Sequence, residues 1–220
     1  VPHLLAPLQL EDGAAAAVCS RWAEGWNATS EGRRCLTRVA LDFPRDLLDT
    51  HSLNMAVIPG GDELVVRSDA MVRILARDMR IVSRFCMPTN FGSVAASEEI
   101  IYTTHRHEHI ASLTHNDGWL RDGTEVAKYQ DPDKSIAFQV LGPGGLLFCV
   151  LFDENEDNTQ DEIIALDAQT LQPRYRFGLS LLNEACGMVV AGEELFVCDY
   201  GNDRLQVFSL AGEHRRSITG

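Results

Sequence analysis

An internal repeat narrows what this chain can fold into more than any other feature. Near the C-terminus, Leu195-Phe196-Val197-Cys198-Asp199 and Arg204-Leu205-Gln206-Val207-Phe208 are apolar runs of strand length. They flank a Gly201-Asn202 turn, the pattern of a β-hairpin. Three earlier hairpins share this register. Ile100-Ile101-Tyr102-Thr103-Thr104 returns as Ile110-Ala111-Ser112-Leu113, Leu147–Leu151 returns as Glu162–Asp167, and Leu64-Val65-Val66 returns as Met71–Leu75. The hairpins begin at 64, 100, 147 and 195, in steps of 36, 47 and 48 residues.

A short run of small or apolar residues precedes each hairpin: Met55–Ile58, Ser93–Ala96, Ser135–Phe138 and Gly187–Val190. More polar stretches follow, such as Met79–Val82 and His214–Ile218. Four strands per unit, recurring at roughly 40–50 residues, mark the blades of a β-propeller. Near-continuous apolarity fits strands that pack against a neighbour on both faces, and small residues on the first strand fit a crowded axis. The expected fold is mainly β: about four blades over 36–220, behind a short α-helical head over 1–35.

Residues 187–208, Gly-Met-Val-Val-x-Gly-x-Glu-Leu-Phe-Val-Cys-Asp-Tyr-Gly-Asn-Asp-Arg-Leu-Gln-Val-Phe, resemble an NHL repeat. The other three units share its hydrophobic register but lack its Asp…Asn-x-Arg element. In the fourth unit Gly201 and Asn202 are expected to take the left-handed backbone of a tight hairpin. Asp199 and Arg204 flank that turn and are placed to pair across it, a structural role. NHL-type propellers usually have more than four blades, so the resemblance implies a piece of a larger propeller.

The head has a helical period instead. Glu11-Asp12 precede an alanine run, and acidic residues favour the positive end of a helix while alanine has the best helix propensity. Ala15, Val18, Cys19, Trp22 and Trp26 form one apolar face at i, i+3, i+4, i+7 and i+11. The order of a Leu-rich segment (Leu4, Leu5, Leu8), an acidic turn and Val18-Cys19-Ser20-Arg21-Trp22 resembles the second half of an F-box. That resemblance implies docking on a Skp1-type adaptor through Leu4, Leu5, Leu8, Val18 and Trp22, with a protein substrate on the propeller loops of a cullin-type ubiquitin ligase. A helix that caps the propeller is the other reading of the head.

Charge limits the partners. Nineteen Lys and Arg against 32 Asp and Glu leave a net charge of −13, which disfavours phosphate backbones and anionic lipid and argues against the RNA-binding role of some NHL propellers. No apolar stretch approaches the ~18 residues of a membrane helix, and no secretory signal pattern opens the chain. The first residue is Val1, which suggests a processed or truncated chain. Six scattered cysteines without a Cys-x-x-Cys pair read neither as a disulfide scaffold nor as a zinc site. A cytoplasmic or nuclear setting is the expectation.

Candidate chemistry is sparse. His105, His107 and His109 would face one side of an extended segment, as some metal sites begin, yet the repeat places them in a hairpin turn, which favours a solvated histidine-rich hairpin. The run Asp153–Glu162 starts like a calcium loop but has Asn158 at the glycine position and Ile164 at the bidentate Glu position; it reads as an exposed acidic extension. No nucleophile elbow, zinc helix or phosphate loop occurs, and no cofactor is expected. Metal-dependent propeller enzymes of the lactonase or amide-lyase type remain an alternative, through Glu98, Glu99, Asn183 and Glu184 near the mouths of the first strands, as does a passive scaffold.

Overall fold

A computed structural model describes residues 53–60, 62–68, 70–87, 92–105, 109–114, 125–153 and 160–219, all within one compact unit, Phe43–Gly220. The head and its adaptor-contact residues Leu4, Leu5, Leu8, Val18 and Trp22 lie outside the described residues.

Among the described residues, sixteen strands run in chain order as four antiparallel meanders. The first is β1 (Leu53–Val57), β2 (Glu63–Ser68), β3 (Met71–Ala76) and β4 (Ile81–Cys86). The second is β5 (Val94–Ala96), β6 (Ile100–His105), β7 (His109–Thr114) and β8 (Glu125–Gln130). The third is β9 (Ser135–Gly142), β10 (Leu146–Phe152), β11 (Asp161–Asp167) and β12 (Pro173–Leu182). The fourth is β13 (Ala185–Ala191), β14 (Glu194–Asp199), β15 (Arg204–Ser209) and β16 (His214–Thr219). Each strand pairs with the next, and successive first strands contact one another, β1 with β5, β5 with β9 and β9 with β13. This is the architecture of propeller blades set side by side around their innermost strands.

Alternation along the middle strands builds the core. On β10, Leu147, Cys149 and Leu151 pack with Ala95, Tyr102 and Ile110 of the second blade. The intervening Phe148 and Val150 pack with Leu195, Val197 and Phe208 of the fourth. Strand β11 divides likewise, Ile164 and Leu166 toward the second blade and Ile163 and Ala165 toward the fourth. Successive side chains leave opposite faces of a strand, so a stretch covered on both faces is apolar at consecutive positions, as at Leu147–Leu151 and Ile163–Leu166. The first and second blades meet through Val65, Val72, Ile74 and Phe85 against Val94, Ala96 and Ile101.

Polar ties cross the same seams. Arg67 of β2 is buried and donates to Thr103 Oγ1 and to the Thr104 carbonyl of β6. Burial pulls its guanidinium down to about 10, so it still carries its charge at neutral pH. Gln139 Nε2 of β9 donates to the Tyr102 carbonyl at 3.1 Å. Arg176 of β12 reaches back to Asp131 and to the Tyr129 hydroxyl, and holds Glu162 at 3.1 Å. Tyr175 donates its hydroxyl to the Leu210 carbonyl of the fourth blade.

Three expectations need correction. The first strands are not uniformly small and crowded. Strand β5 is buried throughout, but β1 exposes Met55 and Val57, and β13 exposes Val189 at 56%. The cause is position, since among the described residues β5 and β9 have a first-strand neighbour on either side, whereas β1 and β13 each contact one. The acidic stretch also does not stay outside: Asp161 and Glu162 open β11 and are buried, with Glu162 satisfied by Lys134 and Arg176. The third departure, in the 199–204 turn, is described below.

Phe208 is fully buried, with ring centroids 5.2 Å from Phe177 of the third blade and 5.5 Å from His214. Phe208→Ala is expected to cost about 3–5 kcal/mol, while Val189→Ser, on the exposed face, should stay within about 0.5 kcal/mol. Urea unfolding of both variants checks the contrast.

Candidate functional site: the pocket between the third and fourth blades

A buried carboxylate organises the turn that joins the fourth blade to the third. Asp199 ends β14 with no exposed surface. Its Oδ1 accepts from the Asn183 backbone N–H at 2.8 Å and from Asn202 Nδ2 at 2.9 Å. Its Oδ2 accepts from Arg204 Nε at 2.7 Å and Gln206 Nε2 at 3.3 Å. Arg204 and Gln206 both also donate to the Leu181 carbonyl at the end of β12. The turn differs from the expected one. A 3-10 turn spans Tyr200–Asn202, and Asp203, not Gly201 or Asn202, is left-handed, at φ 50°. Gly201 answers to close packing instead: its N–H donates to the Asn183 carbonyl at 3.0 Å, and a Cβ there would lie 2.4 Å from Asn183 Nδ2, so that any larger residue must displace the Asn183 side chain.

Immediately beside this junction lies a pocket of about 390 Å³, lined by Ala137 and Phe138 of β9, Phe152 and Asp153 at the end of β10, Asp161 of β11, and Glu184, Ala185, Cys186 and Tyr200 of the fourth blade. Its wall is largely apolar and aromatic, and its charged groups are carboxylates. Phe138 and Glu184 both hold left-handed backbone, at φ 40° and 51°. Non-glycine residues pay for that conformation, and such residues concentrate at functional sites. The consequence here is that Phe138 keeps part of its ring exposed at the pocket.

Asp161 accepts from the Ala185 N–H through Oδ2 at 2.5 Å, which fastens the start of β13 to β11. Burial raises its pKa above the ordinary carboxylate value, and the charges of Asp199 and Glu184 push the same way; the Ala185 hydrogen bond and Lys134 oppose them. The site as a whole is a negative, partly apolar cleft. Among the described residues, no three His, Cys, Asp or Glu side chains gather to hold a metal ion.

The sequence-derived candidates are distributed as follows. Asp199, Gly201, Asn202 and Arg204 come together at the junction. Glu184 lines the pocket, and Asn183 serves the Asp199 turn. Glu98 and Glu99 lie elsewhere, on a separate pocket of about 380 Å³ with Tyr102 and Gly142. His105 and His109 are directly paired as the last residue of β6 and the first of β7, so they belong to strand ends. His107 lies outside the described residues. Sequence reasoning missed Phe138, Phe152, Cys186 and Tyr200. Only Phe152, at the end of β10 beside Asp153, carries a local sequence signal that could have marked it.

No family model matches the chain, and no curated protein matches it. Solved structures do. BamB from Moraxella catarrhalis aligns with a TM-score of 0.54 at 13% identity, over 74% of this chain and 48% of that one. Hsv2 from Kluyvelomyces marxianus aligns at 0.51 and 13%, over 75% and 51%. A protein of unknown function from Bacteroides caccae aligns at 0.54 and 14%, over 73% and 58%. The likeness shows the β-propeller fold, and the chain spans about half the length of the proteins it resembles.

Two variants test the junction and the pocket. Asp199→Ala strands the buried donors of Arg204 and Gln206 and is expected to cost about 3–5 kcal/mol in urea unfolding. Asp161 binds its proton more tightly folded than unfolded. Its contribution is therefore fully present below about pH 4, the unfolded value, and is lost as pH rises through the folded pKa. Asp161→Asn, which keeps an acceptor for Ala185, should remove that loss. The variant should be more stable than wild type at pH 7, with the gap closing toward pH 4, as measured by thermal unfolding across the range.

Proposed function

We propose that this chain is a protein-interaction scaffold whose docking point is the pocket between the third and fourth blades, and that the pocket receives a lysine or arginine side chain of its partner. The observation that carries this reading is the pairing of an apolar wall (Phe138, Phe152) with a rim of carboxylates (Asp153, Asp161, Glu184). Lysine and arginine have an apolar stem and a cationic head, and bury the first while solvating or pairing the second. A net charge of −13 steers basic segments toward the molecule and repels nucleic acid.

The experiment is fluorescence anisotropy with a lysine/arginine-rich peptide against a matched acidic one. Only the basic peptide should bind, with affinity falling as salt rises. Glu184→Gln should weaken it roughly 3–10-fold, since a tenfold change corresponds to about 1.4 kcal/mol. Equal binding of the acidic peptide, or no response to Glu184→Gln, contradicts the reading.

A finer assignment rests on sequence resemblance. The NHL-like element at 187–208 and the F-box-like Val18-Cys19-Ser20-Arg21-Trp22 support a substrate receptor of a cullin-type ubiquitin ligase, acting in the cytoplasm or nucleus, with a Skp1-type adaptor on the head and the substrate on the propeller. Trp22→Ala should abolish co-purification of the chain with a Skp1-type adaptor; retained capture, or no capture by the wild type, removes the assignment.

A further inference from the structure

The register between β13 and β14 slips between Ala185↔Asp199 and Gly187↔Cys198, so that Cys186 is the extra residue of a β-bulge. A bulge re-aims the side chain it carries. Here it brings Cys186 Sγ to 3.4 Å from Cys198 Sγ, although the two residues are not opposite each other in the ladder. Cys186 is exposed and Cys198 half-buried. The two thiols also sit between two cavities: Cys186 lines the pocket described above, Cys198 lines a second of about 410 Å³ bounded by Arg204, Leu205 and Ile218, and Tyr200 borders both.

We infer that Cys186 and Cys198 form a dithiol site that a hydroperoxide converts to a reversible disulfide. Both atoms are already at contact distance on adjacent strands. A disulfide needs the sulfurs to close to about 2.05 Å, a motion that side-chain rotation on a bulged strand can supply. Cys186, being accessible, reacts first. Its thiolate attacks one oxygen of the peroxide, the O–O bond breaks, and the products are a sulfenic acid on Cys186 and water (an alcohol from an organic peroxide). The Cys198 thiol then attacks the Cys186 sulfur; the S–S bond forms, the S–O bond breaks, and hydroxide leaves with the thiol proton as water. Two thiols and one peroxide thus give one disulfide and two waters. The sulfurs are oxidised and the peroxide oxygens reduced. Burial, and the hydrogen bond to Cys198, push the Cys186 thiol up, so the first step should accelerate as pH rises.

The other described cysteines do not compete for this partner. Cys149 is fully buried within β10, and Cys86 is on β4 of the first blade. The pair was not legible in the sequence, because Cys186 and Cys198 have neither a Cys-x-x-Cys spacing nor a direct cross-strand register. Only the bulge brings them together.

The test uses the full chain, reduced, freed of reductant, exposed to hydrogen peroxide and then alkylated. Peptide mapping should find a Cys186–Cys198 link in the oxidised sample. Dithiothreitol should reverse it, and the urea midpoint should rise on oxidation and return on reduction. In Cys198→Ser the reaction should stop at the sulfenic acid, which dimedone captures on Cys186. Phenylarsine oxide, whose arsenic takes two neighbouring thiolates, should bind the reduced wild type with one equivalent more than Cys186→Ser. Oxidation that leaves Cys186 and Cys198 unlinked, or that joins Cys186 to a different cysteine, overturns the inference. So does equal arsenical binding by wild type and Cys186→Ser.

Discussion

The structure depends on one constraint: a blade flanked on both sides has no free face, so its middle strands are largely apolar and the polar groups they bury are paired. Strands β10 and β11 obey it most fully, sending alternate residues to the second blade and to the fourth. The hydrophobic effect scales with the area removed from water, and two-sided burial gives each middle strand about twice the return of a strand with one solvated face. Several buried polar groups are then arranged around these seams. Arg67 and Gln139 each satisfy a backbone carbonyl of a neighbouring blade, and Arg176 and Asp199 each pair with the turn leading into their own blade.

The same constraint accounts for the faces that are not covered. The first blade exposes Leu53, Met55 and Val57 on one side of β1, and the fourth exposes Val189, Leu205 and Ile218 on the face turned away from the third. These residues occupy alternate positions of their strands, as the buried ones do, and differ in lacking a neighbouring blade among the described residues. The pocket lies at the third seam, between β9–β11 and the start of the fourth blade. Asp161 lines it and fastens β13 to β11 through the Ala185 N–H, and the bulge at Cys186 shapes one wall. Rigid support from the seams and a cleft with negative and apolar walls are what a docking surface for a basic side chain needs.

Much of the fold could be read from hydrophobic runs alone. The hairpins beginning near 64, 100, 147 and 195 coincide with β2–β3, β6–β7, β10–β11 and β14–β15, because strand length and continuous apolarity are local properties. The turn chemistry at 199–204 was legible in its partners but not in its backbone. Asp199 and Arg204 can be paired from spacing, whereas the left-handed residue is Asp203 and Gly201 answers to a contact with Asn183, eighteen positions earlier in the sequence. Asp161 and Glu162 looked like solvated charges because a sequence run shows composition and not cover; their burial follows from Lys134, Arg176 and the Ala185 N–H arriving from other strands. The pocket was the least legible feature. Its residues come from five separate elements and turns, and no short motif contains more than a few of them.

Native-state hydrogen exchange tests the dependence on two-sided packing most directly. If the seams carry the stability, the amides of β10 and β11 exchange only through global unfolding, while those of β16, every residue of which is exposed, and of β1 open at much lower free energy. Equal protection of all four blades, or faster exchange in β10 and β11 than in β16, would contradict the account.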